Sequence, residues 1–235
     1  MNDRRKKLLL FGGSGQIGRE VCTKFTAKNW EVLSIVRTPT IDISHEIVWD
    51  VLMDDNIPNN LNTQSPFDAV CWAQGANLND SIYSFDKTKH LALYAANALF
   101  ILESLSRLLK ASLLAKSAKL CIVSSIWQEI SRQNKLSYAI SKSALKGLVL
   151  SLANDLAKDG YLVNAVLPGA LDTPMTSNNL SNEQIQLIEN STKFNRLASL
   201  GDVSSAIYYL CSEENSGLTG QFLKVDLGFS DVRNI

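Results

Sequence analysis

The sequence predicts an α/β fold: one doubly wound sheet of about seven mostly parallel strands, with helices on both faces. Three observations predict it. Short apolar runs rich in Val, Ile and Leu recur along the chain, each separated from the next by a stretch of helical periodicity. The runs are continuous rather than alternating, as strands covered on both faces are. No repeat, low-complexity tract or Gly/Ser linker interrupts the 235 residues, so a single domain spanning 1–235 is expected. Alternating strand and helix implies right-handed crossovers, with ligands bound beyond the carboxyl ends of the strands near the switch in strand order.

The elements follow in order. Leu8 to Phe11 reads as the first strand, and a helix runs from about Gly15 to Lys28. Glu31 to Val36 and Ala69 to Ala73 are the next strands, and a long helical stretch covers about Lys89 to Leu114. Leu120 to Ser124 is strand again, and Tyr138 to Lys158 is helix, with Ala139, Leu145, Leu148, Val149, Leu152 and Leu156 at helical spacing. Leu162 to Leu167 is strand, Asp202 to Cys211 helix, and Phe222 to Val225 the last strand. One segment breaks the rhythm. Residues 172–201 are polar, with one weak helical pattern around Gln184 to Ile188, and are expected to form a substrate lid.

Composition narrows the function. Lys+Arg and Asp+Glu are 23 each, so no general attraction to nucleic acid is expected. No apolar run approaches the roughly 18 residues of a membrane span. The basic residues Arg4 to Lys7 read as a solvated tail entering a buried strand, not as a signal peptide. The four cysteines are far apart, neither His45 nor His90 has a Cys or His nearby, and no metal site is expected. The cysteine usage fits a reducing cytoplasm.

Gly12, Gly15 and Gly18 lie between the first strand and the first helix, in the segment Phe11-Gly12-Gly13-Ser14-Gly15-Gln16-Ile17-Gly18. Glycine permits positive φ and close approach of the backbone to a pyrophosphate, and the helix N-terminus offers free N–H groups to the anion. The context of strand before and helix after fits dinucleotide binding by Gly12, Ser14, Gly15, Gln16, Ile17 and Gly18. Arg37 follows the second strand, where a carboxylate would grip the 2′-hydroxyl of NAD. A guanidinium there pairs with a 2′-phosphate, so NADP is preferred over NAD.

Tyr138 and Lys142 are four apart in a helical stretch and share a face, and Ser125 lies just past the end of a strand. A phenol of ordinary pKa near 10 is a poor acid–base at neutral pH; a neighbouring ammonium would lower it. Tyr138 could then give a proton to a carbonyl oxygen held by Ser125.

With these residues in place, the chain resembles the short-chain dehydrogenase/reductase superfamily, in its single-domain Rossmann-type branch, and most of all the 3-oxoacyl-[acyl-carrier-protein] reductase-like members. The resemblance is carried by the glycine turn, Asp50-Val51, Ala73-Gln74-Gly75, Asn97, Ser125, Tyr138-x-x-x-Lys142, the segment Asn164 to Met175 with its Pro168-Gly169, and the tail Gly217 to Gly228. It implies an oxidoreductase that interconverts a ketone and a secondary alcohol. Asp50 and Val51 would cradle the adenine, and Ala73 and Gly75 would line the cofactor. Pro168, Gly169, Leu171 and Thr173 would surround the nicotinamide. Lys142 would reach the ribose, and Asn97 would hold, through its backbone, a water that relays protons to Lys142. The substrate stays open among acyl thioesters, polyketides, nucleotide sugars and small metabolites. The two long helices carry more apolar residues than one sheet face can cover, so Leu105, Leu108, Leu109, Leu148 and Leu152 are the expected partner surface, and the resemblance implies a homodimer or homotetramer built on those helices. Phe11 replaces the usual threonine, Gln16 stands where a glycine is common, and Asn-Ala-Gly and Asp-Gly-Gly read Ala73-Gln74-Gly75 and Asp226-Leu227-Gly228. The altered glycine turn leaves an alternative reading, a dinucleotide-binding sensor with little turnover.

Overall fold

A computed structural model describes residues 4–39, 46–173, 176–177 and 180–232. Seven strands form one sheet: β1 Lys7–Phe11, β2 Glu31–Val36, β3 Glu46–Val48, β4 Phe67–Trp72, β5 Leu114–Val123, β6 Leu162–Pro168 and β7 Phe222–Val225. Their order is β3-β2-β1-β4-β5-β6-β7, and every described pairing is parallel. The order reverses at β1, which pairs with β2 on one side and β4 on the other. The carboxyl ends of those two strands open a crevice there, where doubly wound sheets bind ligands.

The helices are α1 Gln16–Ala27, α2 Asn59–Asn62, α3 Lys87–Tyr94, α4 Phe100–Lys110, α5 Leu136–Asp155, α6 Asn182–Asn190 and α7 Leu200–Cys211. Two apolar layers sandwich the sheet. Leu8, Leu10, Ala69, Cys71 and Cys121 pack beneath α1 and α7, with Val21, Phe25, Val203 and Ile207. Leu9, Phe11, Val70, Trp72 and Ile122 pack beneath α4 and α5, with Ile101, Leu105, Leu108, Leu145 and Val149. Alternate residues of one strand feed opposite layers, which is why the strand sequences read as unbroken apolar runs.

The elements differ from expectation in three places. Strand β3 and helix α2 have only three and four residues, too short for any period to register. Strand β5 begins at Leu114, six residues before the expected Leu120, because its polar start Lys116-Ser117 hides a strand edge. Helices α3 and α4 are joined by a π turn, Ala95–Leu99, so that 87–110 runs as one 24-residue helix. By length and composition it could cross a membrane, although no run of purely apolar residues reaches that length. It carries the buried polar residues Asn97 and Ser104, and packs Ile101, Leu105 and Leu108 into the core.

Leu105 and Leu108 are 2 % and 0 % exposed, so they belong to the protein's own core and cannot form a partner surface. Leu109, Leu148 and Leu152 also pack against that core. The exposed apolar side chains on these helices are Leu91, Tyr94, Leu99, Leu102, Ile140 and Leu150.

Candidate active site

The turn after β1 is fixed by close packing. Gly12 has φ +82°, and a Cβ there would lie 2.6 Å from the Gln74 nitrogen of the neighbouring strand end. A Cβ on Gly18 would lie 2.1 Å from the Gly12 oxygen, so α1 can approach the turn only with glycine at that position. Gly15 is the N-cap of α1 and no side chain caps the helix, which leaves its first N–H groups facing the crevice. The first turn carries no acidic residue to compete with an anion.

This turn forms one wall of a cleft of about 720 Å³, lined by Gly12, Ser14, Gly15, Gln16, Ile17, Arg37, Asp50, Ala73, Gly75, Leu171 and Thr173. All eleven were expected there. Arg37 is exposed at the rim and, among the described residues, no carboxylate pairs with it. Gly18 packs behind the turn instead of lining the cleft. Val51 is fully buried in the core, so of the expected adenine pair only Asp50 faces the cleft; its neighbours Trp49 and Leu52 do so too.

Sequence reasoning missed Trp49, Gln74 and Phe100 as cleft residues. The aromatic run around Phe11 was the available signal. Phe11 stacks on Trp72 at 5.8 Å and meets Phe100 edge-on at 5.6 Å and Trp49 at 6.0 Å. The phenylalanine in the threonine's place thus anchors an aromatic floor under the cleft. Both side-chain amide atoms of Gln74 are buried without a hydrogen-bond partner among the described residues. Gln74 borders this cleft and the pocket beside it. An uncapped helix end, a turn that a Cβ would fill and an orphaned amide fit a pyrophosphate-linked dinucleotide.

The adjoining pocket, about 230 Å³, holds Ser125, Tyr138 and Lys142 together with Pro168 and Gly169. Ser125 caps a short 3₁₀ turn past β5, and Tyr138 and Lys142 come from the first turns of α5. Lys142 Nζ donates to the Val123 carbonyl at 3.2 Å and lies 5.8 Å from the Tyr138 ring centre. Burial without a carboxylate lowers Lys142 to about 8. The expected lowering of the Tyr138 phenol does not appear in the protein alone: burial raises it, and a hydrogen bond with Ser125 only partly opposes this.

Asn97 sits in the π turn and lines neither cavity. Its side chain accepts from the Ala76 N–H at 2.8 Å and donates to the Ala76 carbonyl at 3.1 Å and Ser141 Oγ at 2.9 Å. It ties the loop after β4 to α5, beside Lys142. His90 hydrogen-bonds with Ser137 Oγ at 2.9 Å. His45 lies outside the described residues. Among the described residues no group of His, Cys, Asp and Glu could hold a metal ion.

A family model described as enoyl-(acyl carrier protein) reductase matches residues 68–230. The chain belongs to the short-chain dehydrogenase/reductase superfamily. It is 28 % identical to an uncharacterized oxidoreductase, YmfI, of Bacillus subtilis, over 95 % of this chain and 98 % of that one. It is 34 % identical to the 3-oxoacyl-[acyl-carrier-protein] reductase FabG of Salmonella typhimurium, a match spanning 54 % of this chain and 53 % of the relative. A short chain dehydrogenase family protein from Francisella tularensis shares the fold, with TM-score 0.87 at 24 % identity, over 97 % of this chain and 100 % of that one. The protein is a short-chain dehydrogenase/reductase enzyme with the Rossmann-like sheet of that superfamily.

Proposed function

We propose that the protein is an NADP-dependent ketoreductase, interconverting a ketone and a secondary alcohol with Tyr138 as the general acid–base. The observation that carries this reading is the junction of the two cavities. The dinucleotide cleft opens through Ala73, Gln74, Gly75, Leu171 and Thr173 directly onto the pocket that contains Ser125, Tyr138 and Lys142. When bound, the dinucleotide supplies hydride to the carbonyl carbon. The residues of this chain do the rest. Ser125 holds the carbonyl oxygen, and the Tyr138 hydroxyl gives that oxygen its proton. Lys142 stabilises the phenolate left behind, and Asn97 braces the loop and helix around Lys142 so that a proton can return from solvent. Arg37 at the cleft rim supports NADP over NAD, and the related-fold protein ElxO is known with NADP bound. The four free cysteines suit a cytoplasmic enzyme.

Residues 172–201 serve in this reading as a lid. Thr176, Leu180 and Ile188 reach the Tyr138 pocket, while the base is held to the body by the Leu171–Ala198 bridge and the buried Leu197 and Ala198. Met175, the other expected lid contact, lies outside the described residues. A 3-oxoacyl thioester is one substrate compatible with the FabG match. The direct test is NADPH and NADH oxidation with a panel of ketones. Turnover with NADPH in preference to NADH is expected; no oxidation with any ketone, or a preference for NADH, would overturn the reading.

A further inference from the structure

The Tyr138 pocket carries more positive charge than the reaction uses. Arg132, Lys135 and Lys142 line it, and among the described residues no Asp or Glu does. Lys135 is 4 % exposed, yet among the described residues its ammonium donates only to neutral oxygens, Asn77 Oδ1 at 2.6 Å and Asn79 Oδ1 at 2.7 Å. The nearest acid, Asp80, spends its oxygens on the Ser137 N–H and hydroxyl. Arg132 stacks over Trp127, 5.7 Å from the ring centre, and among the described residues makes no ion pair. Its own hydrogen bond is a long one, 3.4 Å, to the Gln133 carbonyl. Sheltering cations without a counter-charge is costly, and a fold does so where a ligand brings the missing charge. The cation is also in the right place. Lys135 Nζ lies 5.1 Å from the Tyr138 ring centre, so an anion held there sits close to the reacting oxygen.

We propose that the substrate is an anionic ketone, whose carboxylate or phosphate seats between Arg132 and Lys135 a few bonds from the carbonyl that meets Tyr138. This rests on the ketoreductase reading and names the substrate class for it. The two amide oxygens hold the Lys135 ammonium, and the Trp127 ring holds the Arg132 guanidinium nearby, so both donors are placed before the ligand arrives. Burial and the neighbouring Arg132 lower Lys135 to about 8, and the charge of Asp80 only partly opposes them.

The test compares matched substrates. Acetoacetate and levulinate are assayed against their methyl esters, and dihydroxyacetone phosphate against dihydroxyacetone, with the parent, Arg132→Gln and Lys135→Gln. The anionic member of the productive pair should have a kcat/KM roughly 10- to 100-fold higher, the worth of a charge-assisted hydrogen bond. Each variant should erase most of that preference while changing the neutral partner less than about threefold. Added salt should lower the rate of the anion only. The carboxylate and phosphate arms say which anion fits. Neutral members turned over as well as charged ones, or variants that weaken both alike, would overturn the proposal and leave Lys135 a brace for the Asn77–Asn79 loop. If no ketone turns over, calorimetric binding of acetoacetate against its ester decides it: ester binding as tight as acid binding overturns it. Acid-selective binding lost in both variants upholds it and locates the failure in the ketoreductase reading.

Discussion

Lys142 shows how the site trades stability for chemistry. Its ammonium is buried and titrates near 8 folded, against 10.5 unfolded. Between those values the unfolded chain binds more protons, so stability should rise with pH from about 8 to about 10.5. That difference is a penalty of about 3 kcal/mol carried at neutral pH. Lys142→Met should therefore abolish turnover without lowering the melting temperature at pH 7, and should lose part of the alkaline gain in stability. Thermal scans of both proteins from pH 7 to 10 check this; a variant clearly less stable at pH 7 would show that the charge is not a burden. Arg37 makes a second residue-scale case. Arg37→Asp should weaken NADPH binding by roughly 1.5–3 kcal/mol and NADH binding much less, as read by cofactor fluorescence titration. Equal losses for the two cofactors would place Arg37 away from the 2′-phosphate.

The glycine turn is the element on which the cleft depends. With 2.1 Å between a Gly18 Cβ and the Gly12 oxygen, Gly18→Ala must push α1 off the turn. Overpacking of this kind costs about 1–3 kcal/mol, and NADPH affinity should fall with it. A variant that binds NADPH normally would contradict the packing argument. The lid makes the opposite prediction. Helix α6 buries none of its residues fully, and Leu187 and Phe194 stay exposed, so amide exchange in 180–195 should be fast alone and slow with cofactor and substrate bound. Fast exchange unchanged by ligands would make the segment an idle excursion. These elements were legible in the sequence to different degrees. The strands were readable because both faces are covered, and the phosphate turn because glycine is obligatory there. The π turn was not, since no residue pattern marks one extra residue in a helical turn, and it is what sets Asn97 against Ala76 and Ser141. Arg132 and Lys135 carry no sequence signal, because neither makes an ion pair among the described residues and that shows only in three dimensions. Val51 was misplaced for a related reason: its side chain points to the opposite side of the chain from Asp50, into the core.

At the scale of the molecule, the 87–110 helix exposes an apolar stripe that an assembly would bury. Leu91, Tyr94, Leu99 and Leu102 recur at about one-turn spacing across the π turn and remain 39–54 % exposed. A symmetric dimer or tetramer burying this stripe is expected, and Leu102→Lys should shift it toward monomer by light scattering at micromolar concentration. A parent already monomeric would contradict it. The account as a whole turns on the phenol in the pocket that adjoins the dinucleotide cleft. Its most direct test is steady-state NADPH oxidation by the parent and Tyr138→Phe with a ketone that the parent reduces, alongside NADPH titration of each. The account predicts unchanged NADPH affinity and a kcat lowered roughly 10²- to 10⁴-fold, the usual worth of a positioned acid. A kcat within about threefold of the parent would contradict it.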